Sequence, residues 1–290
     1  MTPSGTMARS IQEPSGSTWL ILVNWNGREV TLACLASLRQ VPSPPFSVLV
    51  VDNGSADGSV EAIRSLHPEV HLLSLPENRL FAGGTNTGIR YALDHGATLV
   101  VLLNNDTVVD PGFLAPLLAP LRQDRTCGAV APKMLYHDRP TMLWFAGGAV
   151  SFWTGTMKHI GIREEDRGQH DAALPIDYAS GCCIATRRDV LERVGMLDEA
   201  YSMYTEDADW SLRVRRAGYR ILYEPTSRIW HKVSVSAGGN MSWFKLRHKY
   251  AGNMRFFFRY ATWPQRLVFP WLSILVNALR AIRYIAATRQ

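Results

Sequence analysis

Four short apolar runs, separated by stretches with helical spacing, constrain this 290-residue chain more than any other feature. The runs cover residues 19–23, 47–51, 70–75 and 98–103. Between them, residues 29–39, 59–66 and 86–95 place apolar side chains at the i, i+3, i+4 positions of a helix. Parallel neighbours need a crossover, so this β-α-β-α order implies a parallel sheet with helices on both faces. The expected class is α/β, a Rossmann-like, mostly parallel sheet flanked by helices. Clusters of Gly, Asn and Asp follow the runs at residues 24–27, 52–58, 78–88 and 104–110. Ligands of open α/β sheets sit beyond the carboxyl ends of the strands, which places all four clusters around one site.

The second half is less regular, with strands expected at 128–132, 143–152, 178–185 and 219–224 and helices at 188–194 and 206–217. Residues 154–177, rich in charge and glycine, read as a mobile excursion able to act as a lid. Residues 1–18 are rich in Ser, Pro, Gly and Thr without the apolar core of a signal peptide, and read as a flexible lead. The expected organisation is therefore this lead, one α/β domain over 19–240 and a helical extension over 241–290. Cys34, Cys127, Cys182 and Cys183 show no metal spacing, and the adjacent pair cannot easily close an ordinary disulfide. A reducing cytosol suits them.

The net charge of +6 is concentrated in the tail: from Arg213 onward there are fifteen Lys and Arg and one acid, Glu224. Beyond Trp243, aromatic residues alternate with Lys245, Arg247, Lys249, Arg255 and Arg259. Residues 267–279 then form a 13-residue apolar run flanked by Arg266, Arg280 and Arg283, too short to span a bilayer. Such a segment suits a helix lying on an anionic membrane surface. The competing use is a helical hairpin packed on the core or buried in a homodimer. No nucleic-acid motif accompanies these residues, so nucleic acid is not an expected partner.

Individual clusters carry chemistry. Asp52 ends a Val-Leu-Val-Val run and opens Asp52-Asn53-Gly54-Ser55-Ala56-Asp57-Gly58, where a carboxylate can bind a base N–H or ribose hydroxyls. The same residues make a good turn and helix cap. Asn104-Asn105-Asp106 closes the fourth run, and a carboxylate there can hold a hard divalent cation shared with two phosphates. His231 can complete that cation site, with Lys232, Ser234 and Ser236 near enough in sequence to meet phosphate oxygens. Glu206, Asp207 and Asp209 open a helix; a helix N-terminus favours acids, but three in four residues exceed capping needs, leaving one free as a general base.

In order and spacing these stretches resemble the nucleotide-sugar glycosyltransferases of family 2, inverting enzymes of the GT-A fold. The resemblance rests on Val23-Asn24-Trp25-Asn26, residues 50–59, Glu77-Asn78 through Gly88, Leu103-Asn104-Asn105-Asp106, Glu206 to Asp209 with Leu212-Arg213, and His231. It covers residues 19–259, and within the family the chain is most similar to the rhamnosyltransferase-like branch that builds bacterial surface polysaccharides.

The resemblance implies that Asn24, Asn26, Asp52, Asn53, Ser55, Asp57, Asn78, Gly83, Gly84, Asn86, Asn104 and Asn105 serve the donor, a dTDP-rhamnose or a UDP-hexose. Asp106 and His231 would bind Mg²⁺ or Mn²⁺, and Asp207, with Glu206 as the competing candidate, would be the base. Trp144, Trp153, Asp209 and Trp210 are the candidates for the acceptor, a glycan or a lipid-linked sugar. The implied location is cytoplasmic, peripheral on the inner face of the membrane. Two departures stand out: Arg79-Leu80 precedes Phe81 where relatives often have Gly-Phe, and Trp210 follows Asp209 where Leu is common. A sugar nucleotidyltransferase would want a Gly-rich basic loop after the first run, which residues 24–28 do not supply. A catalytically silent scaffold is the remaining alternative.

Overall fold

The computed structural model describes residues 17–201, 204–233 and 243–287. The sheet is built first from β1 (Ser17–Asn24), α1 (Arg28–Leu38), β2 (Ser47–Asp52), α2 (Ser59–Leu66), β3 (His71–Ser74), α3 (Leu80–Asp94) and β4 (Ala97–Leu103). These are the expected crossovers. β1 lies between β2 and β4, parallel to both, and β3 is parallel to β2. Leu20, Leu22, Val50 and Val101 are fully buried, as near-continuous apolar strands of a parallel sheet require.

Helix α3 begins six residues before the expected start, inside the glycine-rich segment. A Cβ on Gly88 would meet Ile21 at 2.5 Å and Val51 at 3.0 Å, and one on Gly84 would meet Val23 at 2.9 Å. Glycine at these turns lets α3 lie directly on β1 and β2.

The chain continues through β5 (Thr107–Val109), α4 (Leu114–Gln123), β6 (Cys127–Tyr136), β7 (Leu143–Phe145), β8 (Gly148–Ser151), β9 (Thr156–His159) and β10 (Leu174–Pro175). It ends with β11 (Cys183–Arg187), α5 (Arg188–Val194), α6 (Glu206–Arg216), β12 (Arg220–His231), α7 (Trp243–Tyr260) and α8 (Trp263–Ala287). The sheet order is β10-β12-β6-β11-β4-β1-β2-β3. β11 runs antiparallel to β4 and β6, while β12 runs parallel to β6. α4 was not expected, because Pro116 and Pro120 disguise its Leu114, Leu117, Leu118 and Leu121 face.

The run at 143–152 is broken at Gly147, whose φ is 123°, into β7 and a separate β8–β9 hairpin. The excursion at 154–177 is pinned down rather than loose. Lys133 is fully buried and holds Asp166 at 2.8 Å and Asp171 at 2.5 Å, while backbone bonds join Leu143 to Glu164 and Ala146 to Ile160. β12 runs on past the expected 224 to His231, which lies opposite Thr107 of β5 and Tyr136 of β6. The expected lead lies outside the described residues apart from 17 and 18, as do Ser234 and Ser236.

α7 packs on the domain through Phe256 and Phe257, and α8 through Phe269, in a buried cluster with Tyr178, Tyr201 and Ala208. The opposite face of α8 carries Trp263 and Trp271, each 75% exposed, with Leu267 and Ile274 at 64% and 65%. No helix among the described residues is long and apolar enough to cross a membrane.

Candidate active site

The ends of β1 and β2 meet in register, Asn24 opposite Asp52. Fully buried Asn24 donates to Asp52 Oδ1 at 2.8 Å and to Ser55 Oγ at 3.1 Å. Its carbonyl oxygen accepts from Thr31 at 2.9 Å and from Asn105 at 3.1 Å. The second Asp52 oxygen accepts the Ser55 N–H at 3.0 Å. Asn26, at a positive φ of 50°, accepts the Ala56 N–H at 2.8 Å and so fixes one turn against the next. This network brings Asn24, Asn26, Asp52, Ser55 and Asn105 together as one rigid edge.

Other expected donor residues have structural partners. Asp57 accepts from Arg28 N–H at 2.9 Å and from the Ser59 N–H and hydroxyl, capping the starts of α1 and α2. Asn86 is stapled to the segment before α6: its amide donates to Leu197 O at 2.9 Å and Glu199 at 2.8 Å and accepts Leu197 N–H at 3.0 Å. Gly83 and Gly84 lie within α3, with Gly84 against β1.

Asn53 and Asn78 shape the turn into α3. Asn53 donates to Asn78 at 2.9 Å and Leu80 O at 3.0 Å, and accepts from Arg79 N–H at 2.9 Å. The turn holds Leu80 at φ 59°, a left-handed conformation that a leucine rarely adopts, at one of the two positions that depart from the expected Gly-Phe.

Beside this edge opens a cleft of about 790 Å³, within the range of small-molecule sites, at the carboxyl ends of β4 and β12. It gathers Asn104, Asp106, Trp144, Glu206, Asp207 and His231. Asp106 and His231 are 2% and 7% exposed, and His231 Nε2 lies 3.1 Å from Asp106 Oδ1. Trp144 stands edge-on to both His231 and His159, with ring centroids 4.5 Å from each. Asp106 and His231 could supply one oxygen and one nitrogen ligand; no group of three or more His, Cys, Asp or Glu among the described residues forms a metal cage. The pair could hold a hard divalent cation, which would draw its further ligands from phosphate oxygens and water.

The opposite carboxylates enter from α6. Its start is forced by two consecutive left-handed residues, Tyr204 at φ 66° and Thr205 at φ 77°. Such strain persists only where surroundings impose it. Here Thr205 donates to Asn253 of α7 at 3.0 Å, and Gly252 allows α7 to pass close to the loop. Asp207 accepts the Gly181 N–H at 2.8 Å and the Ala208 N–H at 2.7 Å. Burial raises the Asp207 carboxyl above its ordinary value, opposed by these N–H groups and by Lys249. Burial, and secondly the charge of Asp207, push the Glu206 carboxyl well above the carboxylate range.

Asp209 and Trp210 do not reach the cleft. Fully buried Asp209 accepts from Tyr260 at 2.8 Å, Tyr201 at 3.1 Å and Arg213 at 2.9 Å, and pairs with Arg259 at 3.3 Å, tying α6 to α7. Trp210 is 2% exposed and donates to Gly195 O at 2.9 Å. Helical spacing turns Asp209 away from Asp207, whereas Trp210, three residues on from Asp207, is buried with its N–H on Gly195 O. Trp153 is 53% exposed in the β8–β9 turn, outside the cleft lining.

His159, Tyr178, Ser180, Gly181 and Lys249 line the cleft without having been singled out in the sequence. Only Lys249, in the aromatic-basic tail, carried a local signal. Burial drives the His159 imidazole down to about 4, so it is neutral.

The family model for glycosyl transferase family 2 matches residues 19–195. An N-acetylglucosaminyl-diphospho-decaprenol L-rhamnosyltransferase of Mycobacterium tuberculosis is 30% identical over 223 residues, covering 70% of this chain and 72% of that protein. A low-salt glycan biosynthesis hexosyltransferase of Haloferax volcanii is 26% identical over 210 residues, covering 70% and 62%. The fold is also that of a Pyrobaculum calidifontis mannosyltransferase solved with GDP-Man and Mn²⁺. That match has a TM-score of 0.58 and 19% identity and covers 93% of this chain and 76% of the other.

Proposed function

Because the chain belongs to glycosyl transferase family 2, we propose that it is an inverting, metal-dependent transferase serving surface-polysaccharide assembly. It moves a sugar from a nucleotide-diphosphate donor, dTDP-rhamnose before UDP-hexose, to a hydroxyl of a lipid-linked or growing glycan. The rhamnosyltransferase relative supports this choice of donor and acceptor. One observation carries the reading: Asp207 and the Asp106–His231 pair open into the same cleft.

The Asp52–Asn24–Ser55 edge, with Asn26 and Asn105, is assigned to the nucleoside side of the donor, and Asn104 to its diphosphate side. Asp106 and His231 would hold Mg²⁺ or Mn²⁺, which neutralises charge growing on the leaving diphosphate. Asp207 accepts the proton of the acceptor hydroxyl as its oxygen attacks the anomeric carbon from the face opposite the diphosphate. A carboxylate held by two N–H groups is pre-aimed for this. The single displacement forms one C–O bond while the other breaks, so configuration inverts without an enzyme nucleophile. Trp144 offers the acceptor sugar an aromatic wall.

The exposed Trp263, Leu267, Trp271 and Ile274 stripe on α8 supports docking on an anionic membrane surface at the cytoplasmic face. Calorimetry with nucleotide diphosphates and their sugars, with and without Mn²⁺, tests the donor assignment. Metal-dependent binding that is lost in Asp106→Ala is expected; equal binding without metal or in that variant would overturn the metal role.

A further inference from the structure

Glu206 and Asp207 are adjacent, share one cleft and repel each other's charge, yet the structure treats them differently. Asp207 accepts two backbone N–H groups. Glu206 is 7% exposed, and its Oε2 is buried with no hydrogen-bond partner among the described residues. A buried carboxyl oxygen left unpaired at the wall of a cavity is costly unless a ligand satisfies it. When two neighbouring carboxyls differ this way, one proton settles on the group that lacks donors, and the other keeps the charge. Around them stand Tyr204 ahead of the helix, Tyr178 and Gly181 ahead of β11, His159 from β9 and Lys249 from α7. Lys158 of β9 and Lys249 of α7 are the lysines lining the cleft, and the charge of Lys249 favours the ionised form of Asp207.

We infer that Glu206 is a hydrogen-bond donor to the acceptor. Its carboxyl O–H is offered to an acceptor-sugar oxygen beside the hydroxyl that Asp207 deprotonates, and it selects acceptors carrying an oxygen there. The inference rests on the transferase reading above and assigns the two acids opposite protonation states: Asp207 works charged, Glu206 works neutral. Deprotonation of Glu206 at high pH removes the donor and sets a second negative charge beside Asp207. Activity therefore falls on the alkaline side through Glu206 and on the acid side through Asp207.

The experiment compares Glu206→Gln, Glu206→Ala and Asp207→Asn, using dTDP-rhamnose and a short-chain N-acetylglucosaminyl-diphospho-lipid as probes. Gln still donates from its amide, so Glu206→Gln is expected to keep kcat within about threefold and to lose the alkaline fall while keeping the acid limb. Glu206→Ala is expected to raise the acceptor KM about tenfold or more with donor affinity unchanged, and Asp207→Asn to lose turnover. Glu206→Gln as inactive as Asp207→Asn, or Glu206→Ala with an unchanged acceptor KM, overturns the inference. If wild-type protein transfers nothing to this probe, the donor or acceptor assignment has failed. The Glu206 assignment is then decided without substrate, from the ¹³C carboxyl resonance missing in Glu206→Gln. Titration near the ordinary glutamate value of about 4.3 overturns it, and titration above about 7 supports it.

Discussion

Replacing Asp207 by Asn changes one oxygen to an NH₂ and little else in shape. Both carboxylate oxygens are in use, on the Gly181 N–H at 2.8 Å and the Ala208 N–H at 2.7 Å, so one N–H would face an NH₂ and lose its acceptor. A lost hydrogen bond of this kind costs about 1 kcal/mol, which for a domain of this size lowers Tm by about 2–4 °C. Loss of a positioned general base lowers the rate by about 10²–10⁴-fold. At 1.36 kcal/mol per tenfold this is about 2.7–5.4 kcal/mol of transition-state stabilisation, well above the structural cost. Single-turnover transfer from radiolabelled donor, donor calorimetry and a melting curve on the same preparation separate the two effects. The expected variant is folded, binds donor like wild type and transfers at least a hundredfold more slowly. Turnover within threefold of wild type would refute the base assignment. A loss of donor affinity as large as the loss of rate would refute the placement of Asp207 on the acceptor side.

The other expectations concern the scaffold. Asp209→Ala strips a buried carboxylate from Arg213, Arg259 and two tyrosine hydroxyls and should cost about 3 kcal/mol, seen as a fall in urea midpoint; an unchanged midpoint contradicts the tie between α6 and α7. Leu80→Gly relieves a left-handed leucine worth about 1–2 kcal/mol, part of which glycine returns as chain entropy. A net gain of about 0.5–1 kcal/mol is expected, and a lower Tm would show that the leucine side chain matters more than its backbone. Trp263→Ser with Trp271→Ser should abolish co-sedimentation with anionic vesicles while leaving Tm within a few degrees, since both side chains are 75% exposed. Equal co-sedimentation of wild type and variant would dismiss the stripe as a lipid contact.

The parallel half of the sheet was legible because its strands are buried on both faces and its turns announce themselves with Asn, Asp and Gly. The packing role of Gly84 was not legible: a Cβ there would meet Val23 of β1, so its absence lets α3 lie on that strand. Nor does the sequence show the scaffold bonds of Asn86 to Leu197 and Glu199 and of Asp57 to the starts of α1 and α2, which join segments far apart in the chain or at a turn. α4 was hidden by its prolines; the strand expected at 178–185 begins only at Cys183, and its antiparallel insertion between β4 and β6 leaves no local mark in the sequence. Within the site, Asp106, Asp207 and His231 were visible as motifs, but their convergence depends on β12 running on to His231 opposite Thr107. The difference between Glu206 and Asp207 was invisible for a physical reason: it lies in the N–H of Gly181, 26 residues away in the chain.

The central claim, transfer by one displacement, is tested most directly by the anomeric configuration of the product. Purified protein would be incubated with dTDP-rhamnose, Mn²⁺ and the N-acetylglucosaminyl-diphospho-lipid, and the new glycosidic linkage read by NMR before any equilibration. A linkage of configuration opposite to that of the donor is expected, formed by wild type and not by Asp207→Asn. A linkage that retains the donor configuration would contradict the account, because attack from the face opposite the diphosphate in one displacement cannot give it.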